Sequence, residues 1–350
     1  MDKKMQLLIT APLAATLFCI FLTTSRAADC TAGNEGDAIT VDLNGRGHFT
    51  SVQKAIDSVP SGNSKWITIR VNPGTYKYRL PPSLELVTIP LEKPCIFLQG
   101  KGRHLTTIAF DSHQQTDTSA TFTSNPDNIV VQGITFKNSF NRYWKQTDPP
   151  IVQALAARVY GDKCVFLQCG FLGVQDTVWD VQGRHLYDSC YIEGAVDFIF
   201  GGGQSFFQDC NMNVTVSLPP YNLRDGIVTA QGREEPHERS GFFFERGAVF
   251  GVGKFLLGRA YRRYSTVVFH KTKLAAGVAP EGWDAWTYKG HEDSIAYAEV
   301  DCEGRGSDTS KRVPWERHLT PEQMRYFSRR NFIDQEGWLS KTPVAKMLKP

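Results

Sequence analysis

Apolar and polar positions alternate in short bursts along most of this chain, and the bursts recur about every 20 residues. The clearest stretch, VFLQCGFLGVQDTVWDVQGRHLYDSCYIEGAVDFIF, runs from Val165 to Phe200. Cys169 and Cys190 stand 21 residues apart, and the same offset lays Val165 on Leu186, Phe166 on Tyr187, Phe171 on Ile192, Gly173 on Gly194 and Asp176 on Asp197. Phe206, Phe207 and Cys210 continue the pattern after a further 20 residues, and Ile134 and Phe136 precede it. Short apolar strands separated by glycines and polar turns at this period predict a solenoid, each coil adding one strand to a parallel sheet. Neighbouring coils then stand roughly 4.8 Å apart, so equivalent side chains of successive coils lie side by side.

The flanking sequence fits that picture. AITVDLNGRGHF, from Ala38, alternates like a strand and a turn. TSVQKAIDSVP reads as a short helix: Thr50 and Gln53 suit a capping box, Val52, Ala55 and Ile56 share a face, and Pro60 ends it. Its predicted place is over the open end of the solenoid, because the terminal coil needs a cover. TIRVNPGTY, CIFLQG, TTIAF and NIVVQGITF read as strands, whereas residues 77–86 (KYRLPPSLEL) and NSFNRYWKQTDPP, with Tyr143 and Trp144, read as irregular loops. Later coils run through DGIVTAQG, GFFFERGAVF and GKFLLGRAYRRYSTVVFHKTKL. Thr320-Pro321-Glu322-Gln323 opens a helix to about Arg330, expected along the outside of the stack.

Residues 1–27 read as a secretory signal: Lys3 and Lys4, an apolar run from Leu7 to Leu22 broken by Pro12, and Ser25-Arg26-Ala27 at the cleavage point. The remainder, 28–350, is expected to be one domain. Taking Lys3, Lys4 and Arg26 from 39 basic residues leaves 36, and taking Asp2 from 36 acidic ones leaves 35, a net charge of +1. Near-neutrality argues against a nucleic-acid binder held by bulk charge. No later stretch is apolar enough to span a membrane. Of eight cysteines, Cys19 falls in the leader. The odd remainder leaves at least one thiol outside intramolecular bridges, and Cys169, Cys190 and Cys210, on one ladder, suit buried positions as well as bridges. No CxxC pair or close His/Cys group suggests zinc, and no metal or cofactor is expected. Asn213-Val214-Thr215 is a glycosylation triplet.

Asp176 and Asp197, one period apart, are the sharpest chemical signal. In repeat proteins such residues are often turn formers or calcium ligands, but Asp197 interrupts the apolar run VDFIF, where a carboxylate is costly unless it is paired. Two carboxylates one coil apart cannot both ionise cheaply, so one is pushed toward holding its proton. An acid and an ionised carboxylate side by side is the division of labour that general acid and nucleophile require.

Gln153-Ala154-Leu155-Ala156-Ala157-Arg158, Gly173-Val174-Gln175-Asp176-Thr177, Asp197-Phe198-Ile199-Phe200-Gly201 and Leu257-Gly258-Arg259-Ala260-Tyr261 resemble, in order and spacing, the signature motifs of pectin methylesterases. Gly74-Thr75-Tyr76, Thr229-Ala230-Gln231-Gly232-Arg233 and Gly282-Trp283-Asp284-Ala285-Trp286 extend the likeness over about residues 38–340. The resemblance implies an all-β, single-stranded right-handed parallel β-helix with short capping helices. It further implies hydrolysis of methyl esters on homogalacturonan, with Asp197 as nucleophile and Asp176 as acid, then base. By the same resemblance Gln153 and Gln175 stabilise the oxyanion, Arg259 holds Asp197, and Tyr261, Trp283 and Trp286 line the sugar cleft. Arg262, Arg263, Lys271 and Lys273 form either a solvated face or contacts to free carboxylates. A secreted cell-wall monomer without cofactor, acting on pectin and open to a proteinaceous inhibitor, completes the expectation, as does a short form without an inhibitor-like pro-region.

Several positions depart from the family pattern. Ala260 and Tyr261 stand where proline and tryptophan are usual, Val174 where an aromatic is common, and Tyr78 where a glutamate closes GxYxE. Val174 and Tyr261 are therefore expected to thin the cleft's stacking surface. Two rivals share the fold: a polysaccharide lyase using calcium, and a wall protein that binds pectin without turning it over.

Overall fold

Among the described residues the chain winds through three sheets, each complete coil giving one strand to each, and every strand pairing is parallel. The first sheet has ten strands, from Ile39–Val41 through Cys164–Leu167 and Arg184–Asp188 to Ala296–Val300. The second, of eight strands, runs from Val87–Ile89 through Val178–Asp180 and Ile199–Gly201 to Trp283–Asp284, and the third, also of eight, from Gly74–Lys77 to Lys273–Leu274. Along the chain the order is first, third, second sheet, then the first again one coil on, which makes a parallel β-helix. The computed structural model describes all residues except 1–28, 34, 35, 37, 78–85, 114, 144–150, 219–222, 224 and 350, together with the side chains of 142 and 143. The expected leader, Trp144, the Tyr143 side chain, Tyr78 and most of the 77–86 loop therefore lie outside the described residues.

The register read from the repeat is the register of the sheets. Val165 pairs with Leu186 and Phe166 with Tyr187, Phe171 pairs with Ile192 and with Phe136, and Tyr187 pairs with Phe207. Inward positions of the first sheet stack Phe166, Tyr187, Phe207, Phe244 and Phe269 in one column, with successive ring centroids 5.0, 4.5, 4.5 and 4.4 Å apart. Identical positions of successive coils sit at stacking distance, so an aromatic at one such position favours aromatics at the next. Cys169, Cys190 and Cys210 form a second buried column, each thiol donating to a carbonyl of the preceding coil: Val131, Phe166 and Tyr187. All three are free thiols, and the disulfide joins Cys30 to Cys95.

One end of the stack and the outward side of its first sheet are covered. Helix α1 (Val52–Asp57) buries Val52, Ala55 and Ile56 against the first strands of the first and second sheets. Its cap is Ser51 rather than Thr50, with Ser51 Oγ accepting from Lys54 N. The Gln53 amide does not return to the helix start; it pairs with both backbone groups of Thr88 and so ties the helix to the second sheet. Along the outside of the first sheet, the place expected for it, α2 (Pro321–Tyr326) starts with Pro321 in its first turn and has a capping box of Thr320 and Gln323. The helix stops short of Arg330, and a second, α3 (Arg329–Phe332), restarts from Ser328. Phe327, Phe332, Ile333, Trp338 and Leu339 cover the outward apolar row Phe97, Val130, Val165, Leu186, Phe206 and Phe243 of the first sheet.

Candidate active site

The two aspartates lie in equivalent turns, between the third and second sheets, of successive coils. Gln175 bridges Val196 in parallel and Asp176 N donates to Val196 O at 3.0 Å, which places Asp176 and Asp197 on neighbouring coils at the same edge. The glycine of each repeat builds the turn. A Cβ on Gly173 would stand 2.6 Å from Thr177 Oγ1, and one on Gly194 only 2.2 Å from Phe198 Cβ. Each glycine thus makes room for the residue that follows the aspartate. Both aspartates have left-handed backbones, with φ of 59° and 47°, a conformation that Asp accepts more readily than most residues. Alternation then resolves the apolar context of Asp197: Phe198 and Ile199 belong to the main core, whereas Phe200 packs on the opposite, outward side of the second sheet.

Arg259 arrives from two coils further on. The outward positions of the second sheet run Arg158, Trp179, Phe200 and Ala230, and the pairing of Thr229 with Gly258 sets Arg259 beside Ala230. The methyl of Ala230 leaves the space across which the long Arg259 side chain turns back. Its Nε donates to Asp197 Oδ1 at 2.9 Å and its Nη2 to Asp197 Oδ2, a bidentate grip. Trp286 lies over the same guanidinium, 3.8 Å from ring centroid to Cζ, and stacks with Tyr261 at 6.3 Å. Trp286 itself has φ of 52°, and its N–H donates to Asp284 Oδ1.

The electrostatics separate the two acids. Asp176 and Asp197 are 8% and 7% exposed. Burial, then the charge of Asp197, raises the Asp176 carboxyl to about 8, with Arg259 opposing. Burial also raises Asp197, and the hydrogen bonds and charge of Arg259 pull it back. The guanidinium therefore limits the upward shift rather than reversing it, contrary to the simplest expectation for a salt-bridged carboxylate. Asp176 makes no side-chain hydrogen bond among the described residues, so the proton of the pair belongs there.

The amides of Gln153 and Gln175 also make no hydrogen bond to a described side chain or backbone group. Gln153 is exposed and Gln175 half-buried; they are on adjoining coils, where Ala154 N donates to Gln175 O. Tyr261 and Trp286, 38% and 36% exposed, border the site.

Trp283 corrects the expectation for the cleft. It is 1% exposed, packs 4.6 Å from Tyr297 and 6.0 Å from Phe269, and pairs with Gly258, whose missing side chain accommodates the indole. An indole held there offers no face to a sugar. Val174 likewise belongs to the core, so its lack of a ring takes nothing from the groove. Of the basic set, Arg262 pairs with Glu234, whereas Lys273 lies on the third sheet and Lys271 in the turn before it, both away from the sheet that carries the site. Asn213 lies in the third sheet, its Nδ2 donating to Tyr191 Oη at 2.8 Å. Trp179 and Phe200, stacked at 5.4 Å on the outward face beside Asp197, were not singled out from sequence. Their mutual offset of 21 residues, equal to that of the aspartates, was the available signal.

A family model described as Pectinesterase matches residues 38–336. The chain is 44% identical to "Putative pectinesterase 10" of Arabidopsis thaliana over 316 residues, covering 90% of this chain and 91% of that one. It is 42% identical to "Probable pectinesterase 29" of the same plant, covering 87% and 90%. Among solved structures, pectin methylesterase from carrot superposes with a TM-score of 0.80 at 27% identity, covering 91% of this chain and 98% of the other. By its ordered motifs, its coil-by-coil architecture and these likenesses, the chain belongs to the pectinesterase family.

Proposed function

We propose that this protein removes methyl groups from methyl-esterified homogalacturonan, releasing methanol, with Asp197 as nucleophile and Asp176 as acid and base. The observation that carries the reading is the asymmetry of the pair: adjoining buried carboxyls, one gripped by Arg259, the other raised to about 8. Asp197 attacks the ester carbon, and the negative oxygen that develops is received by the Gln153 and Gln175 amides, which add no charge to quench the nucleophile. As the carbon–oxygen bond to the methoxy group breaks, Asp176 delivers its proton and methanol leaves. The acyl group remains on Asp197. Asp176, now ionised, takes a proton from water; the resulting hydroxide attacks the same carbon, frees Asp197 and leaves a galacturonate carboxylate. Arg259 keeps Asp197 ionised and aimed, while Trp286 and Tyr261 offer faces to sugar rings.

The leader-like first residues support secretion to the cell wall, where the substrate is found, with the chain acting as a monomer. A groove of this kind is also where a proteinaceous inhibitor would seat, and Asn213 is the candidate glycan site. The test is methanol release from highly methylated pectin, with ultraviolet absorbance followed and chelator added. The esterase gives methanol, no absorbing product and no response to chelation. Absorbing product lost on chelation would establish the lyase; binding without methanol would establish the wall protein.

A further inference from the structure

Arg158 occupies the same outward row as Trp179, Phe200 and Arg259, two coils before the coil of Asp197. Arg184, Arg246, Arg259, Arg262 and Arg312 each meet a carboxylate, whereas Arg158, like Arg103, Arg233, Arg239 and Arg317, pairs with none among the described residues, and of these it alone lies in the row that carries the site. Its guanidinium is held in place all the same. Nη1 donates to Asn125 Oδ1 at 3.3 Å, and Cζ lies 5.2 Å from the Trp179 ring and 5.5 Å from the Tyr160 ring. Nε is buried without an acceptor, and Nη2 has no hydrogen-bond partner among the described residues. The group is half-buried and continuous, through Trp179 stacked on Phe200, with the reacting pair.

A planar cation whose rings and amide partner fix its orientation, and whose counter-charge is missing, is prepared for a bidentate carboxylate. Leaving it unpaired costs the free protein part of its stability, which a bound anion restores. We propose that Arg158 reads a free carboxylate of the polymer, a galacturonate already stripped of its methyl group, while the ester to be cleaved lies at Asp197. The two points are two coils, about 10 Å, apart along the stack, and Arg158 is level with Phe200, three residues beyond Asp197, a span that a short run of sugars bridges. This rests on the esterase reading above and assigns to Arg158 the recognition of that charge.

The test compares wild type with Arg158→Gln, using oligogalacturonate as inhibitor and partly or fully esterified pectin as substrate. The inhibition constant for oligogalacturonate should rise roughly tenfold or more in the variant, the loss expected for a charge-assisted hydrogen bond. The ratio of kcat/KM on partly esterified to fully esterified substrate should fall with it, and Arg158→Lys should recover part of both. Asn125→Asp, which supplies a counter-charge in place without removing the arginine, should weaken inhibition in the same direction and serves if Arg158→Gln does not fold. Unchanged inhibition and an unchanged ratio in folded variants would overturn the proposal. If wild type releases no methanol, the esterase reading fails separately, and direct calorimetric binding of oligogalacturonate to wild type and Arg158→Gln still decides the subsite: equal affinity overturns it.

Discussion

Asp176→Asn separates the contribution of this carboxyl to chemistry from its cost to the fold. Asparagine nearly matches the shape of a protonated aspartic acid but has nothing to ionise. In the folded protein burial and the Asp197 charge raise Asp176 from 3.8 to about 8. A folded value above the unfolded one means that the folded state binds the proton more tightly. The contribution is fully favourable below pH about 4 and is lost progressively as pH rises toward 8. At about 1.36 kcal/mol per pH unit, the ceiling on that loss is about 6 kcal/mol. Relaxation and residual exposure reduce the effect, and a gap of at least about 1 to 2 kcal/mol at pH 8 is expected. The variant should therefore match wild type in denaturant unfolding near pH 4 and exceed it at pH 8. Activity should move the other way: methanol release should fall by about 10² to 10⁴, and the descending limb of the wild-type kcat/KM profile near pH 8 should vanish. A stability difference independent of pH, or a variant less stable at pH 8, would refute the reasoning, as would retention of the alkaline limb.

Three further outcomes follow from the same geometry. Arg259→Gln removes the bidentate partner of a carboxylate that is 7% exposed; rate should fall at least about 100-fold and the acidic limb of the pH profile should move upward, because Asp197 then ionises less readily. Trp283→Ala should cost about 3 to 5 kcal/mol of stability by leaving a cavity next to Tyr297, with KM little changed, whereas Trp286→Ala should raise KM or lower kcat while unfolding is barely altered; the reverse assignment in melts and kinetics would return Trp283 to the cleft. Reducing Cys30–Cys95, which spans 65 residues, should lower stability by about 4 kcal/mol on the loop-entropy account, measured as a drop in Tm with reductant.

The coil-to-coil register was legible in the sequence because a parallel solenoid repeats its environment: the offset that aligns Cys169 with Cys190 also aligns Phe166 with Tyr187 and Asp176 with Asp197. The glycines at 173 and 194 belonged to the same signal, since each turn needs space for the residue after its acid. Where the repeat lapses, local patterns were ambiguous. Trp283 and Trp286 are three residues apart in one segment, and only the pairing of Trp283 with Gly258 decides that the first faces inward. The cap of α1 is Ser51 rather than Thr50, and Gln53 serves Thr88 on the second sheet, a long-range bond invisible to a local motif. The role of Ala230 as the gap crossed by Arg259 likewise needed three coils set side by side.

The most direct measurement of the central claim is the rate of methanol release from methylated pectin by wild type and by Asp197→Asn, both verified as folded. A nucleophilic carboxylate predicts a loss of at least about 10³-fold in kcat in the variant. Rates equal to within a factor of about three would contradict the assignment of Asp197 as the attacking group.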